Sequence, residues 1–170
     1  MPGNVLRPLM LIAAPLALTL QAQSVPVTTP TADRIVVVKS SHTMTLYAHG
    51  KVLRTYHVWI GRGSGGAKRQ QGDNQTPEGL YTITGRNPHS AAYLSLRISY
   101  PNASDRERAR KLGVDPGGDI MIHGLPPGND WVKPGQQLPD WTYGCIAVTD
   151  SEMDEVWKLV PNGTPIEIRH

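Results

Sequence analysis

One cysteine occurs in the 170-residue chain, Cys145, within Trp141-Thr142-Tyr143-Gly144-Cys145-Ile146-Ala147-Val148-Thr149, and Ile122-His123-Gly124 lies upstream of it. A thiol with no second cysteine has no internal disulfide to form. Beside a histidine it has another use, because imidazole can take its proton and leave a nucleophilic thiolate. Gly124 follows the histidine and Gly144 precedes the cysteine, so bare backbone flanks both groups. The N–H groups of Gly144 and Cys145 could then point at a developing oxyanion. The plainer readings are a cysteine that fills core space and a histidine that sits in a glycine turn.

Other chemistry finds little support. His42, His49, His57, His89 and His170 show no His-Glu-x-x-His spacing and there is no Cys-x-x-Cys, so neither a zinc site nor any other metal or cofactor is assigned. Gly61-Arg62-Gly63-Ser64-Gly65-Gly66 lacks the Lys-Ser/Thr of a phosphate loop, and no helical pattern follows it. The net charge of +3, one unit of it from Arg7, is too mild and dispersed for nucleic acid. Of the two basic clusters, Lys68-Arg69 and Arg106-Arg108-Arg110-Lys111, the second reads as a solvated helix face.

The elements that must position Cys145 and His123 are mostly strands. Arg34 to Lys39 is a continuous β-branched run. Thr43 to Tyr47 alternates, with Met44 and Leu46 on one face; His49-Gly50-Lys51 turns, and Val52 to Ile60 returns as a hairpin partner. Gly61 to Gln75 is a glycine-rich loop, of the kind that forms a flexible lid or a rim. Strands follow at Leu80 to Thr84 and Tyr93 to Ile98, the latter with Leu94, Leu96 and Ile98 facing one way and Ser95 and Arg97 the other. Ser104 with Glu107 resembles a capping box opening a polar helix that Gly113 ends.

Asp119 to His123 and Cys145 to Val148 are short strand candidates, which places both chemical groups at strand ends. Ser151 with Asp154 opens a helix whose apolar stripe is Met153, Val156, Trp157 and Val160, and Thr164 to Ile168 is a last strand. The sum is a mainly β single domain with two short helices, without phenylalanine, its core resting on Val, Ile, Leu, Tyr and four tryptophans.

The N-terminus carries Arg7 and an apolar run from Leu9 to Leu20, short for a membrane span, followed by Gln21-Ala22-Gln23. Residues 1–22 read as a secretory signal peptide, or as an uncleaved anchor that would be the chain's one membrane contact. Residues 23–33 read as a Ser/Val/Pro/Thr-rich linker, and 34–170 as the catalytic domain. The chain is thus expected in the periplasm or cell envelope, as a monomer.

The residues around Cys145 resemble the L,D-transpeptidase (YkuD-domain) family, whose signature is a His-Gly and then Ser/Thr-His-Gly-Cys, a hydrophobic residue and usually Asn or Arg. Gly72-Asp73-Asn74-Gln75-Thr76-Pro77-Glu78-Gly79-Leu80-Tyr81 is similar to the family's Thr-Pro-x-Gly-x-Tyr segment. Leu94 to Asn102 and Trp141 to Thr149 resemble its compact, single-domain branch, and the likeness runs from Arg34 to Arg169. It implies a YkuD-like β-sandwich or partly open barrel. Cys145 would be the nucleophile, His123 its base, and the Gly124 carbonyl the group orienting the imidazole. Gly144 and Cys145 N–H would form the oxyanion hole, while Thr142, Tyr143, Arg97 and Tyr81 would bind substrate. The implied partners are peptidoglycan stem peptides, acyl donor and amine acceptor, joined by 3–3 or 1–3 links through a thioester. Water as acceptor would give a carboxypeptidase, an endopeptidase or an amidase acting on wall-anchored protein, and loss of the chemistry would leave a wall-binding module. Two positions depart from the signature: Tyr143 stands where the family has histidine before Gly-Cys, and Ala147 where it usually has Asn or Arg.

Overall fold

A computed structural model describes residues 30–170, so the expected leader and all but the last residues of the linker lie outside the described residues. The elements are β1 (Arg34–Val38), β2 (Thr43–Ala48), β3 (Lys51–His57), β4 (Gly79–Ser90), β5 (Tyr93–Ile98), α1 (Ala103–Leu112), β6 (Met121–His123), β7 (Ile146–Ala147), α2 (Asp150–Leu159) and β8 (Pro165–Arg169). The strands form one sheet in the order β3-β2-β1-β8-β4-β5-β6-β7. Most neighbours are antiparallel, but β1 runs parallel to β8 and β6 parallel to β7.

Alternation decides which way the strands face. Met44 and Leu46 of β2, Leu96 and Ile98 of β5, Ile122 of β6 and Ile146 of β7 are buried in one cluster with Val156 and Met153 of α2. The opposite face of β5, β6 and β7 carries Ser95 and Arg97, Met121 and His123, and Ala147, since pairing places Arg97 across from Met121 and Ser95 across from His123. A second apolar cluster covers part of this outer face: Trp59, Leu125, Val132 and Ala147, with Leu138 and Trp141 against them.

The sheet's two edges come close to meeting. The second hairpin strand was expected to reach Ile60, but β3 stops at His57 and Trp59 crosses to Ala147, exchanging hydrogen bonds of 3.0 and 2.8 Å with it. Arg62 N–H adds a bond to Thr142 O and Thr142 N–H one to Ile60 O. The chain leaving one edge strand is thereby tied to the other, which gives the partly open barrel.

Both helices begin two residues earlier than their expected boxes. Asn102 caps α1, accepting from Asp105 N–H while the Asp105 carboxylate accepts from Asn102 N–H, and Thr149 with Glu152 does the same for α2. In α1 the reason is Asp105, which is buried and also receives the Tyr81 hydroxyl, so the cap is fixed by the core. Arg106, Arg110 and Lys111 line the solvated side of α1 as expected, the last two pairing with Glu107, whereas half-buried Arg108 donates to the buried Asp105.

The glycine-rich loop is a pinned rim. Lys39 and Lys68, both buried, hold it from within: Lys39 Nζ donates to Gly66 O and Glu78 Oε1, and Lys68 Nζ to Asp73 Oδ1. Asp73 also accepts three backbone N–H bonds from Arg69, Gln70 and Gln75, which hold its carboxyl below the usual range against the cost of burial.

Candidate active site

The parallel ladder between β6 and β7 pairs Ile122 with Ile146 and His123 with Ala147. Cys145 is one residue before β7 and so falls beside Met121. Residues two apart on one strand share a face, so the His123 and Cys145 side chains emerge on the same outer face, diagonally across the ladder. The imidazole is fixed by its own neighbour: Nδ1 donates to Gly124 O at 2.6 Å, which leaves Nε2 as the lone-pair nitrogen. Trp141 meets the ring edge to face at 5.9 Å. In this resting arrangement the sulfur lies 3.6 Å from Asp119 O and receives the Met121 N–H.

Electrostatics keep both groups neutral at rest. Burial pushes the Cys145 thiol up, with the Asp119 carboxylate adding to it and the Met121 N–H opposing it. Burial likewise pushes the His123 imidazole down, against the raising effect of the Gly124 carbonyl. A neutral imidazole on the same face as a thiol can accept its proton; at rest the thiol donates instead to Asp119 O, and the two groups do not stand as an ion pair.

Glycines at both ends are required by contact. At Gly124 a Cβ would lie 2.6 Å from Asp150 Oδ1 and 2.9 Å from Tyr93 Cβ. That same Asp150 oxygen accepts Leu125 N–H at 2.7 Å, so the first turn of α2 pins the chain as it leaves His123. At Gly144 the backbone has φ +126° and a Cβ would lie 2.6 Å from Gln75 O, which seats the cysteine turn against the rim loop.

Several expected substrate contacts turn out differently. Thr142 is buried, and its hydroxyl accepts Gly144 N–H at 3.1 Å and donates to Cys145 O at 2.7 Å. It braces the cysteine turn and is not offered to a ligand. The same bond commits the Gly144 N–H, so of the expected oxyanion pair it is Cys145 N–H that has no protein acceptor among the described residues. Tyr81 is buried too; its hydroxyl donates to Asp105 at 3.0 Å, and burial with that carboxylate raises its phenol well above 10. Tyr143 is 70 % exposed, with the Arg62 guanidinium 4.4 Å over its ring, at the rim of a 410 Å³ cavity that Asp119 and Lys68 also line. Arg97 is on the outer face, paired with Asp119 at 2.6 Å.

Sequence reading gave no role to Asp119, Trp141 or Asp150. Each adjoins a residue it did single out, but contact with the site depends on long-range pairing that no local pattern reports.

The geometry agrees with what the chain is related to. Residues 32–168 match the family model described as YkuD, the L,D-transpeptidase catalytic domain. The chain belongs to the YkuD family of L,D-transpeptidase catalytic domains. YafK of Escherichia coli strain K12, provisionally named an L,D-transpeptidase, is 32% identical over 133 residues, 74% of this chain and 46% of YafK. The chain therefore spans about half the length of this curated relative. Among solved structures, the helical cell shape determining protein Pgp2 of Campylobacter jejuni, as its K307A mutant, superposes with a TM-score of 0.61 at 24% identity, covering 83% of this chain and 48% of that one. L,D-transpeptidase 1 of Mycobacterium tuberculosis gives 0.50 at 17% identity, covering 80% of this chain and 60% of that one. These likenesses establish the YkuD fold, mainly β with two helices.

Proposed function

We propose that this YkuD domain is an exported cysteine acyltransferase that crosslinks peptidoglycan stem peptides. The observation that carries the reading is the His123 Nδ1 bond to Gly124 O on the face that bears Cys145. It holds the imidazole in the tautomer whose Nε2 accepts a proton. In the first half-reaction Nε2 takes the thiol proton as sulfur attacks the carbonyl of an L-centre amide, and the expelled amine leaves with that proton. Cys145 N–H meets the developing oxyanion, and Gly144 N–H joins it only by leaving Thr142 Oγ1. An amine of a neighbouring stem then attacks the thioester, releasing the thiol and forming the crosslink. Signal peptide, periplasmic location and monomeric state belong to the same reading, as does a part in cell shape, which Pgp2's description gives for that protein.

Purified protein incubated with defined muropeptides and read by mass spectrometry tests the proposal. Crosslinked dimers are expected, together with a covalent adduct on Cys145. Shortened stems alone would replace transfer by hydrolysis, and unchanged substrate would sink both. Cys145→Ala is expected to lower turnover by about 10⁴-fold or more, since removal of a nucleophile leaves only binding and oxyanion effects.

A further inference from the structure

Asp119 touches the thiol, and Arg97 stands on the same outer face one strand beyond Met121, for reasons that can be read from the sheet. Arg97 pairs across the sheet with Met121, whose N–H meets the Cys145 sulfur, so Arg97, Met121 and Cys145 form one row on the outer face. Asp119 reaches the row from the other side, its main-chain oxygen 3.6 Å from that sulfur and its carboxylate 2.6 Å from Arg97 Nη1. Each partner also borders open space. Arg97 lines a 310 Å³ groove with Asn87, Ser95 and Met121, and Asp119 lines the 410 Å³ cavity under Tyr143. The ion pair thus links two cavities, one bordered by each partner.

Such a pair is easily opened. Arg97 is 57% and Asp119 69% exposed, and an ion pair in that setting contributes little to stability. Asp119 holds φ +54°, a left-handed conformation in which Asp and Asn are the commonest residues after glycine. A ligand with an ammonium and a carboxylate on one carbon would replace each half of the pair with a matching charge, leaving neither residue unpaired.

We propose that Arg97 and Asp119 form a clamp for the zwitterionic amino-acid centre of the acceptor, Arg97 holding its carboxylate and Asp119 its ammonium. This rests on the acyltransfer reading and specifies its second substrate: a stem whose diamino acid has a free α-amino, α-carboxyl end. The clamp sets that nitrogen beside the acylated sulfur. The ammonium gives one proton to water; the amine then attacks the thioester carbonyl, the C–S bond breaks as the C–N bond forms, and the second proton passes by way of His123 to the sulfur.

Nuclear magnetic resonance of the ¹⁵N-labelled full chain tests the clamp without any turnover. The probes are lysine, lysinamide, which lacks the carboxylate, and Nα-acetyl-lysine, which lacks the α-ammonium. Lysine is expected to shift the Arg97 Nε and Asp119 backbone signals saturably, with the two analogues needing about tenfold higher concentration. Arg97→Gln should erase the preference over lysinamide, and Asp119→Asn, which keeps the main-chain oxygen and tolerates the left-handed φ, the preference over Nα-acetyl-lysine. The spectra themselves report whether each variant is folded. Equal binding of the three probes, or a preference that survives both substitutions, overturns the clamp. Adduct formation on Cys145 by a donor stem is scored separately: adduct without selective binding removes the clamp alone, and selective binding without adduct removes the acyltransfer reading alone.

Discussion

At the scale of single residues, the site is defined by what its neighbours leave free. His123 spends Nδ1 on Gly124 O and keeps Nε2, while Thr142 spends its hydroxyl on both sides of the cysteine turn. Burial raises the thiol and lowers the imidazole, which fixes the sign of the pH dependence. A raised thiol pKa means the thiolate appears only above the ordinary 9.0. A lowered imidazole pKa means His123 stays a competent base as pH falls through 6.5, protonating only below it. Acylation is therefore expected to stay above half its plateau at pH 6.5 and to fall on an acid limb whose midpoint lies below 6.5. Ultraviolet titration of the thiolate should show a midpoint above 9.0 in the free protein. A thiolate already present at neutral pH would mean a standing thiolate–imidazolium pair, and the base role of His123 would fall.

At the scale of elements, the cysteine turn and the rim loop form one unit through Gly144. With φ +126° and Gln75 O 2.6 Å from where a Cβ would sit, Gly144→Ala is strained in conformation and in space. It is expected to cost about 3 kcal/mol, the upper range for a single strained backbone site. Gly66→Ala in the same loop, where nothing among the described residues lies within 4 Å and φ is not positive, should stay within about 0.5 kcal/mol. Urea unfolding of the two variants measures the contrast, and equal effects would refute the steric account. Gly144 was legible in the sequence because it precedes the cysteine, β2 because its burial alternates, and β5 because Leu94, Leu96 and Ile98 alternate in sequence, although Ser95 on the other face is buried as well. The far end of β4 was not: Gly85 and Pro88 interrupt the period, and register shifts accommodate them. Tyr81 and Thr142 were misread because residue type does not tell whether a hydroxyl is spent inside the protein or offered to a ligand. The parallel pairing of β6 with β7 joins segments more than twenty residues apart, and two- and three-residue strands carry too little pattern to announce it.

At the scale of the whole molecule, the site lies where the sheet nearly closes, and one side chain joins the parts that meet there. Trp59 is fully buried, its backbone bonded to Ala147, its indole packed with Leu125, Val132 and Ala147 beneath the segment that ends in Trp141. The first cluster, between sheet and α2, does not include it. Removing the indole should therefore loosen the outer cluster first. Trp59→Ala is expected to cost about 4 kcal/mol, as for other fully buried tryptophans. The indole N–H has no hydrogen-bond partner among the described residues, so Trp59→Phe gives up packing but no bond there and should cost much less. Hydrogen exchange distinguishes a local from a general effect. In Trp59→Ala, amides from Leu125 to Thr142 and in β7 should exchange faster by a larger factor than those of β1 and β2. Because Trp141 rests on His123, the same variant should lose acylation rate beyond its loss of folded protein. Uniform acceleration across the sheet would instead make Trp59 an ordinary core residue, and the near-closure a feature of shape without a part in holding the site.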